Sequence, residues 1–272
     1  MPALPEIDFC GTRMSRLIIG GNPFSGNSHI SRDMDAQMED YFTTDRIKQT
    51  LYRCLEQGIN TAQLRGDKHI VRMLREFRLE GGRINWIGQT APEMAPYENN
   101  VRFIRDNGAC CLYHHGTVTD ALYKAGEFDE IRRRLAVIRA SGLPVGLGSH
   151  MPEVFERAEH ERWDVDFYMC CAYNISKIDR ESSATTGRAN QDEPFDAGDP
   201  DIMYSFIRST SKPCLAFKIL GAGRQCATPD SVRAAFKRAL DGIKPTDAVI
   251  VGMFPRDSDQ IAQNAAIVRE LA

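Results

Sequence analysis

The chain has 272 residues, a length that suits one large α/β domain or two small ones. Its 42% of hydrophobic residues can bury a sizeable core, and its net charge of −3 argues against nucleic acid or an anionic membrane as partner. No apolar run approaches a membrane span, and the first residues lack the pattern of a signal peptide, so we expect a cytoplasmic protein that binds a small molecule.

Short apolar runs alternate with amphipathic helical segments along the whole chain. The predicted strands are Ser15–Gly21, Ile59–Gln63, Asn85–Gly88, Ala109–Tyr113, Val145–Leu147, Val165–Met169, Pro213–Lys218 and Ala248–Gly252. The predicted helices are Thr43–Gly58, Ile70–Phe77, Asn99–Asn107, Glu127–Ser141, Met151–His160, Asp201–Ser209, Pro229–Gly242 and Ser258–Leu271. Eight strands, each followed by a helix-bearing segment, predict a single (β/α)8 barrel over residues 1–272.

One segment, 175–200, interrupts this alternation. It reads ISKIDRESSATTGRANQDEPFDAGDP and has almost no apolar periodicity. Irregular segments of this length inside a compact domain are usually lids or disordered. We expect a lid over the strand ends, and a contact with a partner subunit is the alternative. The oligomeric state stays open.

Eight cysteines include two adjacent pairs, Cys110–Cys111 and Cys170–Cys171. Neighbouring residues of a strand point to opposite faces, so each pair should offer one thiol to the barrel interior and one to the helix layer. No CxxC spacing of a zinc site is present, and a reducing compartment disfavours disulfides. The cysteines are therefore interpreted as small hydrophobic core residues.

Three histidines follow consecutive strands. His114 and His115 end the fourth predicted strand, and His150 ends the fifth. Active sites of (β/α)8 barrels lie at the carboxyl ends of the strands, so these imidazoles are candidates for general acid/base work. A divalent metal, with Cys170 as a further ligand, is an alternative, although no HxH, HExxH or carboxylate pair supports it. A register slip of one residue would exchange the faces of His114 and His115.

Cationic side chains also stand at strand ends. Lys218 ends an apolar strand and is a candidate Schiff-base nucleophile or anion contact, or simply a lysine that reaches solvent. Arg65 follows the second strand and joins the candidate catalytic residues. In the last turn, Arg256 precedes a helix that carries Gln260 and Asn264 on one face, and the start of that helix favours an anion.

Seven segments, in chain order, resemble motifs of the aldo-keto reductases. They are SRLIIGG, LEQGINTAQLRG, LYHHG, VGLGSHMPEV, CCAYN, AFKILGAG and VGMFPRDSDQIAQN. The resemblance covers nearly the whole chain and implies a (β/α)8 barrel that binds NADP(H). It implies the cofactor-binding residues Gly21, Asn22, Ser149, Cys170, Phe217, Arg256, Gln260 and Asn264. Among these, Phe217 would stack on the nicotinamide, and the last three would hold the adenosine phosphate.

The chain departs from the family at the catalytic positions. The family uses Asp, Tyr, Lys and His; these positions match Gln63, Arg65, Gln89 or Thr90, and His114 or His115. Without tyrosine, hydride transfer to a ketone loses its proton source unless a histidine replaces it.

Three hypotheses follow. The first is a divergent reductase that binds NADP(H) and uses His114, His115 or His150 as the acid. The second is a nicotinamide-independent lyase or isomerase on a sugar-like substrate, with the histidines as bases or metal ligands. The third is a non-catalytic barrel that binds a ligand, because the fold alone decides no function.

Overall fold

The computed structural model describes residues 3–177 and 193–272. A hairpin of β1 (Glu6–Phe9) and β2 (Thr12–Ser15) precedes eight further strands, which are β3 (Leu17–Gly20), β4 (Thr61–Arg65), β5 (Asn85–Gln89), β6 (Cys111–His114), β7 (Val145–Ser149), β8 (Phe167–Cys171), β9 (Cys214–Phe217) and β10 (Ala248–Gly252). Strands β3 to β10 pair in parallel in chain order, and β10 closes the barrel against β3. The predicted (β/α)8 barrel is confirmed.

Helices surround the barrel. They are α1 (Arg32–Tyr41), α2 (Thr44–Glu56), α3 (Lys68–Leu79), α4 (Tyr97–Asp106), α5 (Gly116–Lys124), α6 (Phe128–Ala140), α7 (Pro152–His160), α8 (Asp199–Ser209), α9 (Pro229–Gly242) and α10 (Gln260–Leu271). Helix α2 shows why they form: the Thr43 hydroxyl accepts the backbone N–H of Arg46, and Ile47 and Leu51 bury one face. Within the described parts of the chain, no helix has the length and apolar character needed to cross a membrane. Helices α1 and α5 were not predicted.

Side chains of the strands alternate between the barrel interior and the helix layer. In β8, Phe167 lies in the interior core, whereas Cys170 packs in the helix layer. The prediction that two adjacent thiols point to opposite faces of the strand is therefore confirmed for Cys170 and Cys171. It is wrong for Cys110 and Cys111, which both belong to the interior cluster, because Cys110 precedes β6 and strand alternation does not constrain it.

The N-terminal hairpin closes one end of the barrel. Ile7, Phe9 and Met14 join the interior core, and the Phe9 ring packs edge-on against Phe167, with 5.1 Å between the centroids. Phe167 begins its strand, so the closed end is the N-terminal one. A Cβ on Gly146 would lie 2.3 Å from the Phe167 ring, so glycine is needed there. The hairpin therefore covers the N-terminal end of the barrel, opposite the face where sites of (β/α)8 barrels lie.

Replacing Phe9 with alanine tests the hairpin's role. Phe9 is fully buried, and loss of such a ring should lower the free energy of unfolding by about 3–5 kcal/mol in urea denaturation. Leu79→Ala is the control, because Leu79 is 81% exposed and its change should stay within about 0.5 kcal/mol. Equal small losses in both variants would contradict a packed hairpin.

Candidate functional site

The carboxylate of Asp120 lies buried beneath the carboxyl ends of β6, β7 and β8. Asp120 is 2% exposed and is carried by α5. Its Oδ1 accepts a hydrogen bond of 2.5 Å from the Ser149 hydroxyl, and its Oδ2 lies 2.6 Å from His150 Nδ1. The Ser176 hydroxyl donates to the same Oδ2. Segments that follow three neighbouring strands thus converge on one carboxylate.

Local backbone geometry holds these partners in place. The Ser149 hydroxyl also accepts the N–H of Met151 at 3.0 Å, which shapes the turn from β7 into α7. The backbone N–H of Ser176 donates to the Asn174 side chain at 3.2 Å, a local turn of the kind that asparagine favours. The two hydroxyls and the imidazole are therefore positioned by short turns, and Asp120 is positioned by the first turns of α5.

The surroundings of Asp120 keep it ionised. Burial alone would raise its pKa, but the positive charge of a protonated His150, its hydrogen bond and those of the two serine hydroxyls outweigh burial and lower the pKa below the ordinary value. An ionised carboxylate accepts hydrogen bonds and donates none, so it fixes the proton of a neutral His150 ring on Nδ1. The other ring nitrogen, Nε2, is then the atom through which the ring can exchange a proton.

His150 forms part of a cleft of about 310 Å³ at the same rim. The cleft is lined by His150, Pro152, Glu153, Glu156, Cys171, Ala172, Asn174, Lys177, Asp199, Ile202 and Met203. One wall is braced by ion pairing, because Lys177 Nζ lies 2.6 Å from Asp199. The cleft is small, and polar and apolar side chains both line it, which suits a small molecule.

Residues at the end of β9 border the His150 ring. Phe217 packs edge-on against it, with 5.7 Å between the ring centroids. Lys218 follows with a φ of 58°, a left-handed backbone that is unusual for lysine, and its Nζ is buried. The structure thus brings His150, Phe217 and Lys218 to one side of the barrel rim.

His114 was predicted as a catalytic candidate, but its side chain points into the helix layer. Its Nδ1 is hydrogen-bonded to the Thr119 hydroxyl at 2.7 Å, and its Nε2 lies 3.5 Å from the Arg134 guanidinium. Burial, together with the charge of Arg134, lowers the pKa of His114 to about 3. The imidazole is therefore neutral, enclosed and directed away from the barrel interior. Its predicted catalytic role stays a prediction.

His115 and Arg65 have partners other than Asp120. His115 precedes α5, and its backbone N–H donates to the Thr90 hydroxyl at 3.0 Å. Arg65 forms ion pairs with Asp67, at 3.3 Å, and with Glu93. Their predicted catalytic roles stay predictions.

The residues expected to bind NADP(H) do not form one cradle. Ser149 is fully buried and engages Asp120, and Cys170 faces the helix layer. Gly21 packs against β4, where an added Cβ would lie 2.8 Å from Leu64. The Asn22 side chain lies 3.1 Å from His29.

The anion site predicted before the last helix is also occupied by the chain itself. Asp259 caps α10 and accepts the N–H of Ala262 at 3.0 Å, and Arg53 pairs with the same carboxylate. Arg256 pairs with its neighbour Asp257, the Gln260 side chain accepts the N–H of Phe254, and Asn264 is buried. Because these side chains are engaged with other parts of the protein or buried, the residues present do not fit a nicotinamide cofactor.

The alternative of a metal site is not supported by the positions of its expected ligands. Cys170 points away from His150, into the helix layer. Among residues 3–177 and 193–272, no group of three or more His, Cys, Asp or Glu side chains is arranged to hold a metal ion.

Most of the predicted lid, 178–192, lies outside the described residues. The segment after it packs over the first loop: Glu193 lies 2.9 Å from His29 Nδ1, and the Phe195 ring packs on Tyr173 and under Arg224.

Sequence reasoning missed Asp120 and Ser176. Asp120 lies in GTVTDALYK, whose glycine and threonines have low helix propensity. The sequence therefore did not predict the helix that carries Asp120. A signal was present nonetheless, since an acid placed one turn into a helix after a barrel strand lies close to the catalytic rim.

The neutral state of His114 predicts a pH dependence of stability. Between its ordinary pKa of 6.5 and its native pKa of about 3, the unfolded chain binds a proton that native His114 does not. Stability should therefore fall as the pH drops below 6.5, by about 1.4 kcal/mol per pH unit from this group. His114→Gln should make the slope shallower by that amount in urea unfolding between pH 6 and pH 4.5. An unchanged slope would contradict a neutral His114.

Comparisons with known proteins give similarity of fold alone. No protein-family model and no curated protein matches the chain. Among solved structures, a truncated 3-deoxy-D-arabino-heptulosonate 7-phosphate synthase from Thermotoga maritima has a TM-score of 0.56 at 14% identity, covering 99% of this chain and 91% of that one. The protein Gox0644, in its apo form, has a TM-score of 0.58 at 12% identity, covering 98% and 88%.

A third similar structure is the N-acetylmannosamine-6-phosphate 2-epimerase from Clostridium perfringens, with a TM-score of 0.51 at 11% identity, covering 93% of this chain and 90% of that one. At such identities the likeness establishes the (β/α)8 architecture. The resemblance to the aldo-keto reductases gains no support from these comparisons.

Proposed function

We propose that this chain is an enzyme that moves a proton on a small sugar-like substrate, as a lyase or isomerase, with the Asp120–His150 pair as its acid/base. One observation carries the proposal: a buried, ionised carboxylate bonded at 2.6 Å to a histidine that lines a cleft at the catalytic end of the barrel. Structural ion pairs are common in proteins, but this one is also bonded to two serine hydroxyls and borders a cleft.

The chemistry follows from the orientation of the imidazole. With Nδ1–H directed at Asp120, Nε2 of the neutral ring accepts a proton from a carbon next to a carbonyl or from a hydroxyl. The imidazolium that forms is stabilised by the Asp120 carboxylate. Return of the proton to the same or a neighbouring atom completes an epimerisation, an isomerisation or a carbon–carbon cleavage.

Lys218 is the proposed partner of this pair. Proton removal next to a carbonyl places negative charge on the carbonyl oxygen, and a cation close to that oxygen lowers the barrier. Lys218 follows Phe217, whose ring touches His150, and the buried Nζ keeps its charge away from bulk water. We assign to it the stabilisation of that oxygen.

The cleft lining supports a polyhydroxylated substrate. Asn174, Glu153 and Glu156 offer amide and carboxylate groups that bind hydroxyls, whereas Ile202 and Met203 offer an apolar wall for the carbon skeleton. Two of the similar structures are named as enzymes that act on sugar-derived compounds. Compounds of this class are therefore the first candidate substrates to test.

Deuterium exchange tests the proposal without knowledge of the full reaction. Aldoses, ketoses and their phosphates are incubated with the protein in D2O, and loss of C–H signals next to the carbonyl is followed by proton NMR. At least one compound should exchange, and His150→Asn and Asp120→Asn should slow exchange by about 10²–10⁴-fold.

The matched control is His160→Asn, which changes an exposed histidine on α7 and should leave the rate unchanged. Lys218→Met should slow exchange while retaining substrate binding. Exchange that proceeds equally in wild type and His150→Asn would refute the assigned base, and saturable binding without exchange would favour a non-catalytic barrel.

A titration with NADPH separates this proposal from the reductase hypothesis. Because Ser149, Cys170 and Arg256 are engaged within the protein, we expect no change of NADPH fluorescence at micromolar protein and cofactor. Saturable enhancement that Arg256→Ala weakens would restore the reductase hypothesis, with Lys237→Ala, on the exposed face of α9, as the control.

A further inference from the structure

Polar side chains line one sector of the barrel interior, near the carboxyl ends of β4 and β5. Ala62 and Leu64 pack in the helix layer, so Gln63 and Arg65, which alternate with them along β4, face the interior. The interior core residues of β3, β8, β9 and β10 are apolar. The polar groups of this sector therefore stand out within a hydrophobic interior.

Gln89 joins this sector from β5. It is the register partner of Arg65, and the register partner of Gln63 is Ile87, two positions before Gln89. Ile87 belongs to the interior core, so strand alternation puts Gln89 on the same face. We call the side chains of Gln63, Arg65 and Gln89 the polar row. They lie side by side on two adjacent strands.

Gln63 carries an amide that the protein does not use. The residue is 9% exposed, yet its side-chain oxygen and nitrogen form no hydrogen bond with any residue of 3–177 or 193–272. Its register partner on β3 is Gly20, which puts no side chain beside it. A buried amide without a partner costs free energy, so natural proteins rarely keep one unless something binds it. The position of this amide indicates a ligand with hydrogen-bonding groups.

Arg65 is held at the rim by two carboxylates. Its Nε lies 3.3 Å from Asp67, which caps α3, and its Nη2 pairs with Glu93. Because two acids balance its charge, the guanidinium adds N–H donors to the polar row without adding net positive charge. Such a group can bind hydroxyl and carbonyl oxygens, but it attracts a phosphate only weakly.

The position at which (β/α)8 barrels often bind phosphate is filled by the protein itself. That position lies after the seventh and eighth barrel strands, which here are β9 and β10. Pro23 closes on Gly252 at the end of β10, where an added Cβ would lie 3.0 Å from the proline ring. The N–H of Phe254 donates to Gln260 at 2.8 Å, and its ring packs edge-on against Tyr41. A phosphate would have to displace these contacts.

The charge of the cleft also disfavours a phosphate. Glu153, Glu156 and Asp199 line the cleft, and Lys177, which lines it too, lies 2.6 Å from Asp199. Carboxylates repel a phosphate dianion, whereas they accept hydrogen bonds from hydroxyls. Lys218 is already assigned to the carbonyl oxygen of the substrate.

We propose that the polar row is a binding subsite for the hydroxyl groups of an uncharged, unphosphorylated sugar. This inference rests on the proposed function and names the substrate class of the Asp120–His150 pair. The Gln63 and Gln89 amides each donate to and accept from hydroxyls, and Arg65 donates to hydroxyl or carbonyl oxygens. The apolar interior core beneath the row packs against the carbon chain.

Binding measurements on matched pairs of compounds test this assignment. Glucose, fructose, mannose and ribose are each titrated beside their terminal phosphate esters, and binding is followed by ligand-observed NMR. At least one free sugar should bind in the millimolar range or more tightly, and its ester should bind at least about tenfold more weakly. Gln63→Met and Gln89→Met should each weaken binding of the free sugar by about 10–100-fold, because hydrogen bonds to a buried amide are lost.

Two controls separate binding from a structural role. Gln49→Met changes an exposed amide on α2 and should leave binding unchanged. Gln63→Met should melt at the wild-type temperature or above it, because the amide that it removes has no partner in the described parts of the protein. A lower melting temperature, free-sugar binding that Gln63→Met leaves unchanged, tighter binding of the esters, or no binding of any compound would each overturn the proposal.

Failure of the proposed function would give a different result. His150→Asn removes the assigned base and leaves the polar row intact, so it should bind the free sugar as the wild type does. Binding that depends on Gln63, without deuterium exchange in the wild type, would refute the acid/base assignment and leave the subsite in place. Exchange on phosphate esters alone that requires His150 would support the base and overturn the subsite.

Discussion

A carboxylate deprived of water needs several hydrogen-bond donors, and Asp120 obtains them from three segments of the chain. An ion buried without partners would cost several kcal/mol, so Asp120 can stay charged only where Ser149, His150 and Ser176 meet it. The same requirement joins α5 to the ends of β7 and β8. It also orients His150 toward the cleft, so one electrostatic constraint both orders the rim and prepares an acid/base.

The barrel itself could be predicted because its strands are buried on both faces. Runs such as Leu17–Gly20 and Ala248–Gly252 are almost wholly apolar, and amphipathic helices separate them, so the alternation was visible. Helix α5 could not be predicted from the sequence, because its residues have low helix propensity. It is stabilised mainly by packing against β7. The hairpin was missed because the first central residue of its turn is Cys10, where asparagine, aspartate or glycine is usual.

The sequence indicated which end of the barrel carries the candidate site, but it did not identify all the residues that form the site. His150 stood out because it follows a strand directly, and the structure brings it to the cleft. His114 and Cys170 satisfied the same criterion, yet both face the helix layer, because a shift of one residue along a strand exchanges its faces. Asp120 is 30 residues from His150 along the chain, and only the folded barrel brings the two together.

The state of the His150 ring tests this account most directly. Nitrogen-15 NMR of histidine-labelled protein at neutral pH distinguishes a proton on Nδ1 from one on Nε2. We predict that neutral His150 carries its proton on Nδ1, with a strongly downfield proton signal that disappears in Asp120→Asn. A proton on Nε2, or a signal that Asp120→Asn leaves unchanged, would contradict it.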